Sequence, residues 1–125
     1  MKLLLDTHIV LWWLDDPALL SKDARDAIAD PANEVLVSAV VAWEIAIKRG
    51  LGKLTAPADF DVAIQSAGFA MLPVTVAHAL ATELLPPHHR DPFDRMLVAQ
   101  AQIENCTIVT RDPVLAQYGV ATIVG

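Results

Sequence analysis

Short apolar runs ending in an acid or a hydroxyl alternate with longer segments whose apolar residues recur at helical spacing. Lys2 to Asp6 is the first run, apolar from Leu3 to Leu5, and predicts a buried parallel strand. Thr7 opens a helix through Ile9, Val10, Trp12, Trp13 and Leu14, which Asp15-Asp16-Pro17 stops. Ser21 caps a second helix, Lys22 to Ala29, ended near Pro31. Glu34 to Ser38 reads as the second strand, and Ser38 can cap a helix from Ala39 to about Arg49, with Gly50 as its stop. Pro57 to Ala67 predicts another helix, ended by Gly68. Phe69 to Val74 reads as a short strand broken by Pro73, hence an edge. Val74 to Leu85 is helical and closed by Pro86-Pro87; the next helix runs from Pro92 to Glu104. Thr107 to Thr110 is strongly β-prone. Arg111-Asp112-Pro113 turns into a short helix, and Gly119 leads to a last strand, Ala121 to Val124.

Strands alternating with helices predict an α/β sandwich, a mainly parallel central sheet flanked by helices, as one domain over residues 1–125. In such sheets ligands bind beyond the carboxyl ends of the strands. Asp6 ends the first strand, Ser38 the second and Thr110 a later one, with Asp112 two residues on. Parallel strands bring these side chains to one edge of the sheet.

The carboxylates are the residues this arrangement makes chemically interesting. Asp91 is a good N-cap before Pro92, and Asp94 follows three residues later on a neighbouring face. Both can serve the helix end alone, Asp91 as cap and Asp94 through the dipole. Both can equally contribute to a hard-cation site, where clustered carboxylate oxygens bind Mg²⁺ or Mn²⁺. A capping side chain turns back on the helix end, so Asp94 is the expected ligand and Asp91 the cap beside it. Glu44 lies mid-helix on a stripe with Val40, Ile47 and Leu51, where a core side chain belongs. A carboxylate buried there needs a partner or a cation, and Lys48 four residues later offers an ion pair. Asp6 and Asp112 can be plain turn acids, but Asp6, Glu44, Asp94 and Asp112 converge if the sheet is parallel. Unneutralised, they would raise one another's pKa values, and a divalent cation removes that cost.

Composition narrows the rest. A hydrophobic content of 54% and mean hydropathy of +0.43 argue against disorder. A single cysteine, Cys106, excludes an internal disulfide and a cysteine-based zinc cluster, and fits a reducing cytoplasm. The first apolar run stops at Asp6, too early for a signal peptide, and Val35 to Trp43 is too short to span a bilayer. A net charge of −6 argues against nucleic-acid binding. Yet six of the nine basic residues sit near the acids of interest, as Lys48, Arg49 and Lys53, as Arg90 and Arg95, and as Arg111. Lys48, Arg90, Arg95 and Arg111 are candidate phosphate contacts. Ser38 and Thr110 read as caps or strand ends that could support the acids. Trp12 and Trp13 read as core on one side and interface on the other. His8 and His78 have no spaced partners, and His88-His89 reads as a solvated loop pair.

Four segments together resemble PIN-domain proteins: Lys2-Leu3-Leu4-Leu5-Asp6-Thr7-His8; Ser38-Ala39-Val40-Val41-Ala42-Trp43-Glu44-Ile45-Ala46-Ile47-Lys48; His89-Arg90-Asp91-Pro92-Phe93-Asp94-Arg95-Met96-Leu97-Val98-Ala99-Gln100-Ala101; and Val109-Thr110-Arg111-Asp112. The group they look most like is the toxin ribonucleases of VapBC-type toxin–antitoxin pairs. The resemblance implies a PIN-like α/β fold, Mg²⁺- or Mn²⁺-dependent RNA cleavage, a homodimer and a cognate antitoxin whose C-terminal segment covers the active site. It carries the family's acidic positions onto Asp6, Glu44, Asp94 and Asp112, with Asp91 an additional acid. A metal-activated water is then the expected nucleophile. Two rivals are a receiver-like phosphoryl-transfer domain and a catalytically silent PIN-like binding module. The first wants a lysine late in the chain, and none follows Lys53; the second would suit an incomplete acidic set.

Overall fold

β1 (Lys2–Leu5) is covered on both faces, and Leu3, Leu4 and Leu5 expose no surface. Burying a leucine fully contributes about 1.5–3 kcal/mol, so this run anchors the core. In the computed structural model, which describes residues 1–125, β2 (Glu34–Ser38) and β4 (Thr107–Thr110) flank β1. β3 (Ala70–Leu72) and β5 (Thr122–Val124) form the edges, giving the order β3-β2-β1-β4-β5. Every pairing is parallel, with Leu4 opposite both Leu36 and Ile108. The first strand is therefore central, which separates this sheet from the flavodoxin-like order of receiver domains, where it lies second from the edge.

Helix α1 (Thr7–Asp15) follows β1 directly, because Asp6 both closes the strand and caps the helix. α2 (Lys22–Ala29) is capped by Ser21, whose Oγ accepts the Ala24 N–H. α3 (Ala39–Gly50) is capped by Ser38, whose Oγ accepts the Val40 N–H at 3.1 Å. α4 (Phe60–Ser66) begins later than Pro57, because Asp59 supplies no side-chain cap and its φ/ψ of −106°/61° is non-helical. α5 (Val76–Ala81) starts on a Thr75–His78 capping box and tightens into a 3₁₀ turn at Thr82–Leu84. α6 (Pro92–Glu104) ends at Asn105, which takes the left-handed conformation (φ 55°) that asparagine tolerates. The short helix after Asp112 is a 3₁₀ segment, Pro113–Tyr118.

α6 packs on α3, α5 and β4, and α1 packs on α3 and β4. The helices that follow β1 and β2 and the start of α6 line one cleft beside the carboxyl ends of the strands. No helix is long and apolar enough to cross a membrane.

Candidate active site

Asp6 sits where β1 hands over to α1. Its N–H still bonds the Val109 carbonyl at 3.0 Å, so the sheet fixes its backbone. Its side chain accepts from the Thr7 N–H at 2.7 Å through Oδ1 and from the Thr110 hydroxyl at 2.7 Å through Oδ2. Thr110 Oγ1 in turn accepts the Asp112 N–H at 3.0 Å. One hydroxyl therefore ties the Asp6 carboxylate at the end of β1 to the backbone of Asp112 beyond the end of β4. Burial raises the Asp6 pKa above the usual carboxylate range; the bonds from Thr110 and Thr7 oppose this, and the Glu44 charge adds to it.

Glu44 is only 6% exposed, as its position on the apolar stripe of α3 required. Both of its oxygens are engaged. The Thr7 hydroxyl donates to Oε1, and Lys48 Nζ lies 2.6 Å from Oε2. The same bond raises the Lys48 pKa.

Asp91 caps α6 with its Oδ1 on the Phe93 N–H at 2.8 Å, and Asp94 occupies the first turn. The Asp94 side chain, 14% exposed, has its pKa pushed up to about 7. Burial is the largest cause, followed by the negative charges of Asp6 and Asp91; His89 works in the other direction. Asp112 caps the segment that follows it, Oδ1 accepting the Val114 N–H at 2.9 Å.

His89 is the residue that sequence reasoning misplaced. It is not a solvated loop side chain: it is 21% exposed and wedged between two acids. Its Nε2 donates to Asp112 Oδ2 at 2.8 Å and lies 3.1 Å from Asp94 Oδ2. Its Nδ1 accepts the Asp91 N–H at 3.1 Å. Burial disfavours the charged ring, but the bond to Asp112 and the charges of Asp94 and Asp112 outweigh it and raise the pKa above the usual histidine range. Thr7, read from sequence only as a helix opener, is likewise part of the site through Glu44.

Asp6, Glu44, Asp91, Asp94 and Asp112 thus line one cleft of about 280 Å³, together with Lys48 and Arg111. A larger hollow of about 480 Å³ beside it shares His8 and Trp12, but Asp15 is its only acid, so the chemistry belongs to the smaller cleft. Ser38 stays outside as the cap of α3, and Thr110 acts through Asp6. The basic residues divide. Arg90 is exposed, and Lys48 is shared with Glu44. Arg111 lines the cleft while its guanidinium lies 4.2 Å over the Trp12 ring and donates to the carbonyls of Gly125 and Leu19. Arg95, expected at phosphate, spends its donors on the carbonyls of Thr82, Leu85, Pro86 and His89 and on the Tyr118 hydroxyl. It braces the segment that carries His89.

An oxygen-rich set with uncompensated negative charge suits a hard divalent cation. Five carboxylates line the cleft against Lys48 and Arg111 alone, so the residues present fit such an ion.

The PIN domain family model matches residues 3–121. Over 116 residues the chain is 30% identical to ribonuclease VapC22 of Mycobacterium tuberculosis, covering 87% of this chain and 85% of that protein. Among solved structures, VapBC from Salmonella typhimurium bound to DNA superposes with a TM-score of 0.71 at 16% identity, covering 98% of this chain and 97% of the other. VapBC2 from Rickettsia felis, bound to a DNA fragment from its promoter, gives a TM-score of 0.68 at 15% identity, covering 98% of each chain. VapBC-5 from Mycobacterium tuberculosis, a toxin–antitoxin system, gives 0.61 at 19% identity, covering 99% and 98%.

Proposed function

The chain belongs to the PIN domain family, among its VapC-type ribonucleases, and from that premise we propose that it is a divalent-metal-dependent endoribonuclease serving as the toxin of a type II toxin–antitoxin pair. The observation that carries the metal-dependent part is the convergence of Asp6, Glu44, Asp94 and Asp112 on one cleft at the carboxyl end of a parallel sheet. Asp6, Asp94 and Asp112 would hold Mg²⁺ or Mn²⁺, and Glu44 would either share that duty or orient the attacking water. A bound cation supplies Lewis acidity and a water of lowered pKa for in-line attack on phosphorus.

The chain's own groups supply order. Thr110 and the Thr7 N–H aim the Asp6 carboxylate, so it need not reorganise during reaction. The Thr7 hydroxyl and Lys48 fix Glu44 from both sides. Lys48 and Arg111 stand at the cleft and Arg90 is exposed beside Asp91, so these three are the phosphate contacts of this reading. Arg95 serves by bracing the loop. Hydrolysis by water leaves a 5′-phosphate and a 3′-hydroxyl.

The toxin role draws on solved neighbours such as VapBC-5 of Mycobacterium tuberculosis, a member of the VapBC family of toxin–antitoxin systems. In this reading a cognate antitoxin binds the chain and the chain pairs with a second copy. Exposed apolar side chains on α3 and α5, among them Trp43, Ile47, Val76 and Leu80, offer surface for such association. In the same reading the chain works in the cytoplasm, where Cys106 stays a buried free thiol.

The test is cleavage of single-stranded and structured RNA with Mg²⁺, with Mn²⁺ or with EDTA. Cutting that requires the metal and leaves 5′-phosphate ends is expected. Cutting that survives complete chelation would refute the mechanism.

A further inference from the structure

We propose that His89 is the positioning residue of the acidic cleft: its Nε2–H bridges Asp94 and Asp112 in the metal-free protein and gives up that bridge when a divalent cation arrives. The inference rests on reading the cleft as a cation site and adds to it how the empty site is held and what the ion competes with.

Hydrogen-bond geometry carries the argument. The Asp91 N–H points at His89 Nδ1 at 3.1 Å, so in the neutral ring Nδ1 keeps its lone pair and Nε2 bears the hydrogen. In the charged ring Nε2 bears a hydrogen as well. Either way Nε2 donates to Asp112 Oδ2 (2.8 Å), and Asp94 Oδ2 lies in close charge contact at 3.1 Å. A donor cannot ligate a cation, so in this arrangement His89 is not a ligand, although its Nε2 and one oxygen from each acid lie within 4.8 Å of one another.

Three contacts hold the ring there. The His89 N–H donates to the Tyr118 hydroxyl at 2.8 Å, and its carbonyl accepts from Arg95 Nη1 at 3.3 Å. With Nδ1 on the Asp91 N–H, backbone and side chain are fixed by residues of α6, the Pro113–Tyr118 segment and the α6 cap. Carboxylates at metal sites are oriented by outer hydrogen bonds, and here the ring supplies one to Asp112 with Asp94 close beside it. Without the bridge, Asp94 and Asp112 would face each other across the cleft with no positive partner between them. A cation drawing on the same oxygens must displace the hydrogen bond to Asp112 and the contact with Asp94, so bridge and ion compete.

Two substitutions separate these contributions. Asparagine keeps an acceptor near the Nδ1 position for the Asp91 N–H but is too short to bridge the acids. Glutamine reaches with an amide donor close to the Nε2 position. Thermal melting of the full chain would be followed in EDTA and in saturating Mn²⁺, and Mn²⁺ affinity measured by calorimetry. His89→Asn should lower the metal-free melting temperature by about 5 °C, as for loss of one hydrogen bond to a charged group. Saturating Mn²⁺ should erase most of that deficit, and His89→Asn should bind Mn²⁺ about tenfold more tightly than wild type, because a competitor is gone. His89→Gln should recover much of the metal-free stability. A His89→Asn chain that folds only with Mn²⁺ would support the bridge more strongly still.

An equal deficit with and without Mn²⁺ would make His89 merely structural and overturn the proposal. A loss of Mn²⁺ affinity in His89→Asn would make it a ligand and also overturn it. If Mn²⁺ fails to shift wild type at all, the cation reading of the cleft fails and takes this proposal with it. A shifted wild type beside an unaltered His89→Asn would sink the bridge alone.

Discussion

Asp94→Asn should stabilise the metal-free protein, and the size of the gain should depend on pH in a defined sense. The Asp94 carboxyl titrates near 7 in the fold against 3.8 for an unperturbed aspartate. Between those values the folded chain binds more protons than the unfolded chain. Stability therefore falls as pH rises through this window, and the penalty is complete above about pH 7. Three units correspond to roughly 4 kcal/mol, which solvent screening at a 14% exposed side chain reduces to about 3. Asparagine gives up a favourable helix-dipole contact of about 0.5 kcal/mol and is a weaker acceptor for His89. A net gain of about 2 kcal/mol remains, or about 8 °C in melting temperature for a domain of this size. Melting would be followed by circular dichroism in EDTA from about pH 4 to pH 8. The variant should lead at high pH and lose its advantage near pH 4, and saturating Mn²⁺ should reverse the ranking. A variant less stable than wild type at high pH, or a difference flat with pH, would refute the claim that Asp94 carries uncompensated charge.

Glu44→Gln should cost at least about 100-fold in cleavage while the melting temperature holds or rises, since it removes one of several mutually repelling acids; near-normal activity would mean that Glu44 serves only Lys48. Arg95→Ala should destabilise by about 2–3 kcal/mol through the loss of its carbonyl contacts, and Arg95→Lys should not rescue it, because an ammonium cannot span the same fork of acceptors. Asp91→Asn should change stability by less than about 0.5 kcal/mol and retain cleavage, since asparagine caps about as well; a folded but inactive variant would make Asp91 a ligand.

Local chemistry carried much of the fold. Strand runs, hydroxyl caps and Pro92 after Asp91 are signals within a few residues, and each marks a real element or boundary. Boundaries moved where the local signal was proline alone, as at Pro57, which starts no helix until Phe60 because nothing caps it. Glu44 was legible because an acid on an apolar stripe contradicts its surroundings. His89 was not. Its position depends on Tyr118 and Arg95, which are remote from any pattern a pair of adjacent histidines can display. The part played by Thr7 was hidden in the same way, since its partner Glu44 lies 37 residues on. Arg95 misled for the converse reason. An arginine beside two acids suggests phosphate, and only the folded loop reveals carbonyls waiting for it.

The overall acidity of the chain also changes meaning once the acids have places. Fifteen acidic residues oppose nine basic ones, for a net charge of −6. Five of the fifteen, Asp6, Glu44, Asp91, Asp94 and Asp112, line the cleft with two of the nine bases, Lys48 and Arg111, which leaves ten acids against seven bases elsewhere. Half of the net charge thus sits in the one cleft where a divalent cation is proposed, and the other half is spread over the remaining surface. Screening confines such a cluster to about 10 Å at ordinary salt, so a polyanion is repelled chiefly at the cleft itself. Each divalent cation cancels two of those charges where the phosphate must approach, with Lys48 and Arg111 already at the rim. A low isoelectric point therefore does not oppose a phosphodiester substrate. It makes approach to the cleft conditional on the ion that the chemistry also needs.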